Sequence, residues 1–191
     1  MSYKKAVFDL DGGILDDINA KFNEMWNSHK GTINNLSREF FTSVLYVLPH
    51  SKRFYSSLLS ESFVDEDVIG SMKKLQSQGT ELYIVTKNKG VNAEWLSSLL
   101  DRHGIKVDTE HIIVGDMGKF VEQSKADLAV SDRTDSIPGG SSSADIMLLR
   151  RGYNNVGIAL SKMLRNSPRI KIIDPKNLQL EIDKAHRSVI V

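Results

Sequence analysis

Apolar residues fall into two rhythms along this 191-residue chain. Short solid runs occur at Ala6-Val7-Phe8, Leu82 to Val85, Ile112-Ile113-Val114, Leu128-Ala129-Val130 and Ile146 to Leu149, with Ile170, Ile172 and Ile173 forming a sixth. Such runs predict strands, and their lack of polar alternation suits strands buried on both faces. Between them the spacing turns helical. Ile69, Met72 and Leu75 share one helical face behind the acidic start Asp65-Glu66-Asp67, and Gly79 follows as a stop. Trp95, Leu96, Leu99 and Leu100 form a second stripe that ends before Gly104. A short helix is expected near Phe120 and a C-terminal one over residues 176–187. Strands alternating with helices predict an α/β fold, a doubly wound and mostly parallel sheet covered on both faces.

Residues 17–64 break that rhythm and contain no strand pattern. Ile18, Phe22, Met25 and Trp26 lie on one helical face. Phe40, Phe41, Val44, Leu45 and Leu48 form another, with Ser37 as N-cap and Pro49 as stop. This segment is expected to be a small helical cap inserted after the first strand, with residues 1–16 and 65–191 as the core domain. Its aromatic residues suit a small core of their own, with one or two available to stack on a base. Gly139-Gly140-Ser141-Ser142-Ser143 reads as a flexible loop before it reads as a phosphate cradle.

Composition narrows the function classes. Lysine plus arginine number 25 and aspartate plus glutamate 24, so no overall charge draws the chain to polymeric nucleic acid or an acidic membrane. The absence of cysteine excludes disulfides, thiolate zinc sites and a cysteine nucleophile. No apolar stretch is long enough to span a bilayer, and Asp9 and Asp11 interrupt the first apolar run too early for a signal peptide. A cytoplasmic protein is the expectation. The five histidines show no metal-ligand spacing, and Lys52-Arg53 and Arg150-Arg151 read as solvated faces.

Ligands of parallel α/β sheets bind beyond the carboxyl ends of the strands. Asp9 and Asp11 follow the first predicted strand, Thr86 and Lys87 the second, and Asp132 and Asp135 the fourth, with Lys119 between the third and fourth. This set suits phosphoryl transfer. Magnesium prefers oxygen ligands, which Asp9 and Asp132 supply. Asp9 can attack phosphorus, and Asp11 can move the proton of the leaving oxygen. Thr86, Lys87 and Lys119 can hold phosphoryl oxygens and offset their charge. Asp135 either supports Asp132 or caps a helix.

Ala6-Val7-Phe8-Asp9-Leu10-Asp11-Gly12-Gly13-Ile14-Leu15 resembles the first motif of the haloacid dehalogenase superfamily. Leu82-Tyr83-Ile84-Val85-Thr86 is similar to its second, Lys119 stands for its third, and Asp132 with Asp135 for its fourth. Ala126 to Asp135, and Ile146 to Leu149 followed by Tyr153-Asn154, further resemble the 5′(3′)-deoxyribonucleotidases. The resemblance implies a phosphomonoester hydrolase with an aspartyl-phosphate intermediate, a Mg2+ cofactor bound by Asp9, Asp11 and Asp132, and a nucleotide substrate. It also allows a homodimer. Alternatives are a phosphatase for another small phosphorylated metabolite, or a decayed site kept as a binding module. The chain departs from the pattern at Gly13, where threonine or valine is usual, and at Ser131, where a second aspartate is usual. Lys125 competes with Lys119 for the lysine role.

Overall fold

The computed structural model describes residues 3–15, 64–134, 142–151, 154, 158 and 169–187. The expected helices within 17–64, residue Asp135 and most of the glycine-serine patch lie outside the described residues.

All six expected strands form: β1 (Lys5–Asp9), β2 (Glu81–Thr86), β3 (Ile112–Val114), β4 (Leu128–Ser131), β5 (Asp145–Leu149) and β6 (Ile170–Ile173). They make one sheet in the order β3-β2-β1-β4-β5-β6, and every pairing is parallel. From β1 the chain builds outward through β2 and β3, then returns to the other side of β1 with β4. That reversal leaves a crevice beyond the carboxyl ends of β1 and β4.

Among the described residues the α-helices are α1 (Glu66–Ser77), α2 (Ala93–Arg102), α3 (Met117–Ser124) and α4 (Leu178–Arg187). Gly79 and Gly104 follow α1 and α2, as expected. Three caps are side-chain made, which satisfies amides that the helix itself leaves open. Asp65 accepts from the amides of Asp67 and Val68, Asn92 from Trp95, and Asp116 from Lys119.

Alternate residues of each strand feed two cores. Ala6, Phe8, Leu82, Ile84, Leu128, Val130, Met147 and Leu149 pack with the apolar faces of α1, α2 and α4. Val7, Val85, Ala129 and Ile146 pack with Met117 and Val121 of α3 on the other face. Both faces are therefore covered, which is why the strands carry apolar residues in succession. No described helix is long and apolar enough to cross a membrane.

Candidate functional site

β1 ends in Asp9, flanked by the ends of β2 and β4. The registers Asp9 with Val85 and Phe8 with Val130 place Thr86 and Ser131 on either side of it. Asp9, Thr86, Ser131 and Asp132 are all 5% exposed or less. After Asp9 the chain curls back on itself. The amide of Ile14 donates to the Asp9 carbonyl at 3.0 Å, that of Leu15 to Leu10 at 2.9 Å, and that of Gly12 to Leu15 at 2.9 Å. Gly12 adopts a φ of 78°, the left-handed region that favours glycine. A β-carbon on Gly13 would lie 2.2 Å from the Asp9 carbonyl oxygen. The departure at Gly13 thus has a local cause: this path of the loop leaves no room for a side chain.

Two hydroxyls organise the acids. Ser131 Oγ donates to Asp9 Oδ2 at 2.8 Å and accepts the Arg133 amide at 3.0 Å. Thr86 Oγ1 donates to Asp11 Oδ2 at 2.6 Å and accepts the Asn88 amide at 2.9 Å. In each case the backbone amide uses the hydroxyl's lone pair, which leaves its proton for the carboxylate. Burial pushes the Asp9 carboxyl well above the usual carboxylate range, and the charge of Asp132 pushes it further. The Ser131 hydrogen bond opposes this, Asp11 adds to it, and Arg133 opposes it. A cleft opens here, lined by Asp9, Asp11, Thr86 and Lys87, with Arg133 and Met117.

The lysines separate. Lys87 lines the cleft, with its Nζ 3.3 Å from Asp116 at the cap of α3. The Lys119 amide donating to Asp116, with Lys87 beside it, holds that carboxyl below its usual range. Lys119 lies in the first turn of α3, at the rim end, with an exposed side chain. Lys125 follows the last turn of α3. The neighbouring Ser124 carbonyl accepts from Lys5, at the start of β1. The competitor therefore sits at the opposite end of the sheet from Asp9.

Arg151 corrects an expectation. Arg150 is exposed, but Arg151 is 4% exposed and no solvated face. Its guanidinium donates from Nε to the Gly12 carbonyl (2.9 Å), from Nη2 to the Gly13 carbonyl (2.9 Å) and from Nη1 to Asp65 Oδ2 (2.5 Å). The planar fork suits three fixed acceptors in a way that an ammonium does not. Asp65 also caps α1, so one carboxylate joins that helix to the loop after β1. Breaking so buried a pair by removing one partner costs about 3–5 kcal/mol. Asn154 is buried beside it. Its Nδ2 donates to the carbonyls of Asp132 (2.7 Å) and Leu149 (2.8 Å), and its Oδ1 accepts the Arg151 amide (2.8 Å). The one sequence signal for Arg151 was its phase. It continues the inward alternation of Met147 and Leu149 beyond the end of β5, whereas Arg150 does not.

The donor set fits a hard divalent cation such as magnesium. It is all oxygen, and it holds carboxylates of like charge in a buried place, a cost that a cation offsets. Among the described residues no three acidic, histidine or cysteine side chains form a ready cage. Magnesium does not require one, since it keeps several waters and takes one or two carboxylates plus substrate oxygens. Asp9 and Asp132 are the buried pair whose charges press on each other, and the Asp11 carboxylate, which accepts from Thr86, adds to that pressure.

No family model and no curated protein matches the sequence. Solved structures do match in shape. A HAD family hydrolase from Deinococcus radiodurans R1 with bound phosphate and sodium has a TM-score of 0.56 at 15% identity, over 96% of this chain and 96% of that one. The chain has a haloacid-dehalogenase-like fold. A predicted phosphatase from Clostridium acetobutylicum gives 0.53 at 12% identity, over 96% of this chain and 100% of the other. A predicted phosphoglycolate phosphatase from Haemophilus somnus 129PT gives 0.51 at 17%, over 96% and 99%. At these identities the likeness speaks for the fold. Within the haloacid-dehalogenase-like fold of this chain, the first strand end, the second strand end and the fourth strand end carry Asp9, Thr86 and Ser131-Asp132.

Proposed function

We propose that the protein is a magnesium-dependent phosphomonoester hydrolase that uses Asp9 as its nucleophile. The observation that carries this reading is the environment of Asp9. It is buried at the switch point of the sheet, hydrogen-bonded by Ser131, and pressed by the charge of Asp132. Buried acids crowded in this way mark functional sites more often than structural ones. The phosphatase named among the similar structures is compatible with it.

Asp9 and Asp132 would hold a magnesium ion, which would supply positive charge to the phosphoryl oxygens and to both carboxylates. The protein residues do the rest. Ser131 orients the Asp9 carboxylate, one oxygen of which would hold the ion while the other attacks phosphorus. Its attack forms the aspartyl-phosphate bond and breaks the ester P–O bond. Asp11, positioned by the hydrogen bond from Thr86, gives its proton to the leaving oxygen. Asp11 then takes a proton from the water that attacks phosphorus, which frees Asp9 and inorganic phosphate. Lys87, at the cleft, and Lys119, in the first turn of α3, supply cations for the phosphoryl oxygens.

A nucleotide is the leading substrate class, on the resemblance of residues 126–135 and 146–154 to deoxyribonucleotidases. A small phosphorylated acid is the second, on the name of the Haemophilus neighbour. Turnover of p-nitrophenyl phosphate with and without magnesium tests the reaction. A panel of nucleoside monophosphates, sugar phosphates and phosphoglycolate tests the substrate. Retained turnover in a folded Asp9→Asn variant would remove the nucleophile assignment. No turnover of any ester, with no magnesium binding, would leave the binding-module alternative.

A further inference from the structure

Arg151 and Asn154 do not line the cleft, yet between them they hold both of its acidic loops. Hydrogen bonds run without a break from the carbonyls of Gly12 and Gly13, through the Arg151 guanidinium and backbone, through the Asn154 amide, to the carbonyl of Asp132. The pairing between β1 and β4 ends at Phe8 with Val130. Asp9 itself is held by its pairing with Val85 and by the Ser131 hydroxyl, whereas Asp132, one residue past β4, takes its place from the loop that Asn154 holds. The two carboxylates repel each other there, and a loop left untied behind Asp132 relieves such repulsion by moving away. We propose that Arg151 and Asn154 are positioning residues. They set the separation of Asp9 and Asp132, and with it the site's affinity for a divalent cation. The proposal rests on the phosphatase reading above.

The effect is geometric rather than electrostatic. The positive charge acting on Asp9 comes from Arg133, whereas Arg151 is committed to Asp65. Groups that orient metal ligands from behind are typically worth about 10–100-fold in metal affinity or activity.

Arg151→Lys keeps the charge but replaces the three-armed fork by one ammonium. Asn154→Asp keeps the shape and the acceptor for the Arg151 amide, but turns an oxygen toward two carbonyls. Magnesium binding by calorimetry and turnover of p-nitrophenyl phosphate are measured on both, well below their melting temperatures. The expected result is a magnesium dissociation constant raised about tenfold or more and a fall in kcat of similar size. At saturating magnesium the substrate KM should move by less than about threefold. Leu75→Ala, which hollows the core at the far end of α1, serves as the control. It should lower the melting temperature and leave both constants unchanged.

Wild-type magnesium affinity and kcat in both folded variants would overturn the proposal. So would an equal shift in Leu75→Ala. If neither rim variant folds, Asp65→Asn takes their place, since asparagine still caps α1 while the charged partner of Arg151 is lost. A shift of about threefold in magnesium affinity is then expected, and no shift overturns the proposal. A wild-type protein that neither binds magnesium nor hydrolyses an ester would instead overturn the phosphatase reading, and this proposal with it.

Discussion

The two ends of the sheet treat acidic residues in opposite ways. At the amino end each acid faces donors. Asp127 Oδ2 accepts the amides of Lys4 (2.8 Å) and Lys5 (3.0 Å), and Asp145 accepts the Tyr3 hydroxyl (2.9 Å). Burial, then repulsion from Asp145, pushes the Tyr3 hydroxyl above its ordinary range, so it stays a donor at any physiological pH. At the carboxyl end Asp9 and Asp132 face one another, and Asp9 is pushed up by burial and by Asp132. A satisfied acid ties elements together. A crowded one stores unfavourable charge that a bound cation can relieve, and that contrast locates the site.

Substitution of Asp9 should have the largest effect. Asp9→Asn is expected to reduce phosphate ester turnover by about a thousandfold or more, which steady-state kinetics would show. The same change should stabilise the metal-free protein. The folded state holds the Asp9 proton more tightly than the unfolded chain does. The stability contributed by this group is therefore present at low pH and is lost as pH rises from about 4 through the folded pKa. Asparagine does not titrate. Without metal, the wild type should melt progressively below Asp9→Asn as pH rises toward neutrality, and a variant that melts lower at pH 7 would break the contrast.

At the other end, Asp127→Ala should cost about 1–3 kcal/mol of stability, because two amides lose a charged acceptor. Its kcat should match the wild type, and a drop would mean that the amino end is not purely structural. Ser131→Ala should lower kcat/KM by about tenfold, the equivalent of roughly 1.4 kcal/mol, through loss of the donor to Asp9. The smallest effect is expected at Asp116, whose partner Lys87 is 40% exposed and screened by water. Asp116→Asn keeps the cap and should change stability by a few tenths of a kcal/mol, whereas Asp116→Ala should cost about 1 kcal/mol. Because the Lys119 amide depresses the Asp116 pKa, the charge-dependent part of this cap is present near neutral pH. It is lost as pH falls through the folded pKa. Thermal melts of Asp116→Asn and the wild type between pH 2 and pH 7 would resolve it.

Much of the rim was legible residue by residue. Asp9, Asp11, Thr86 and Asp132 could be placed because each follows an apolar run, and a parallel sheet brings the ends of such runs to one side. The role of Ser131 was not legible. Against a family pattern it looks like a missing carboxylate, whereas in the fold it is a hydroxyl aimed at Asp9. Arg151 was misread because an arginine pair after a strand resembles a solvated face. Its acceptors are the carbonyls of Gly12 and Gly13, far away in sequence, and carbonyls carry no residue identity. That Lys119 and Lys125 lie at opposite ends of the sheet also needed α3 in place, because six residues of helix carry the chain from one end toward the other.

By itself, the sequence determined the elements and their kind. Solid apolar runs demand burial on both faces, 3.6-residue stripes demand one covered face, and acid or glycine at their ends sets where each stops. Strand order, the curl of the loop over Asp9 and the buried ties of Arg151 and Asn154 were decided only by tertiary structure. Those depend on which distant backbone groups need partners once water is excluded, and on how far like charges must be held together against their repulsion.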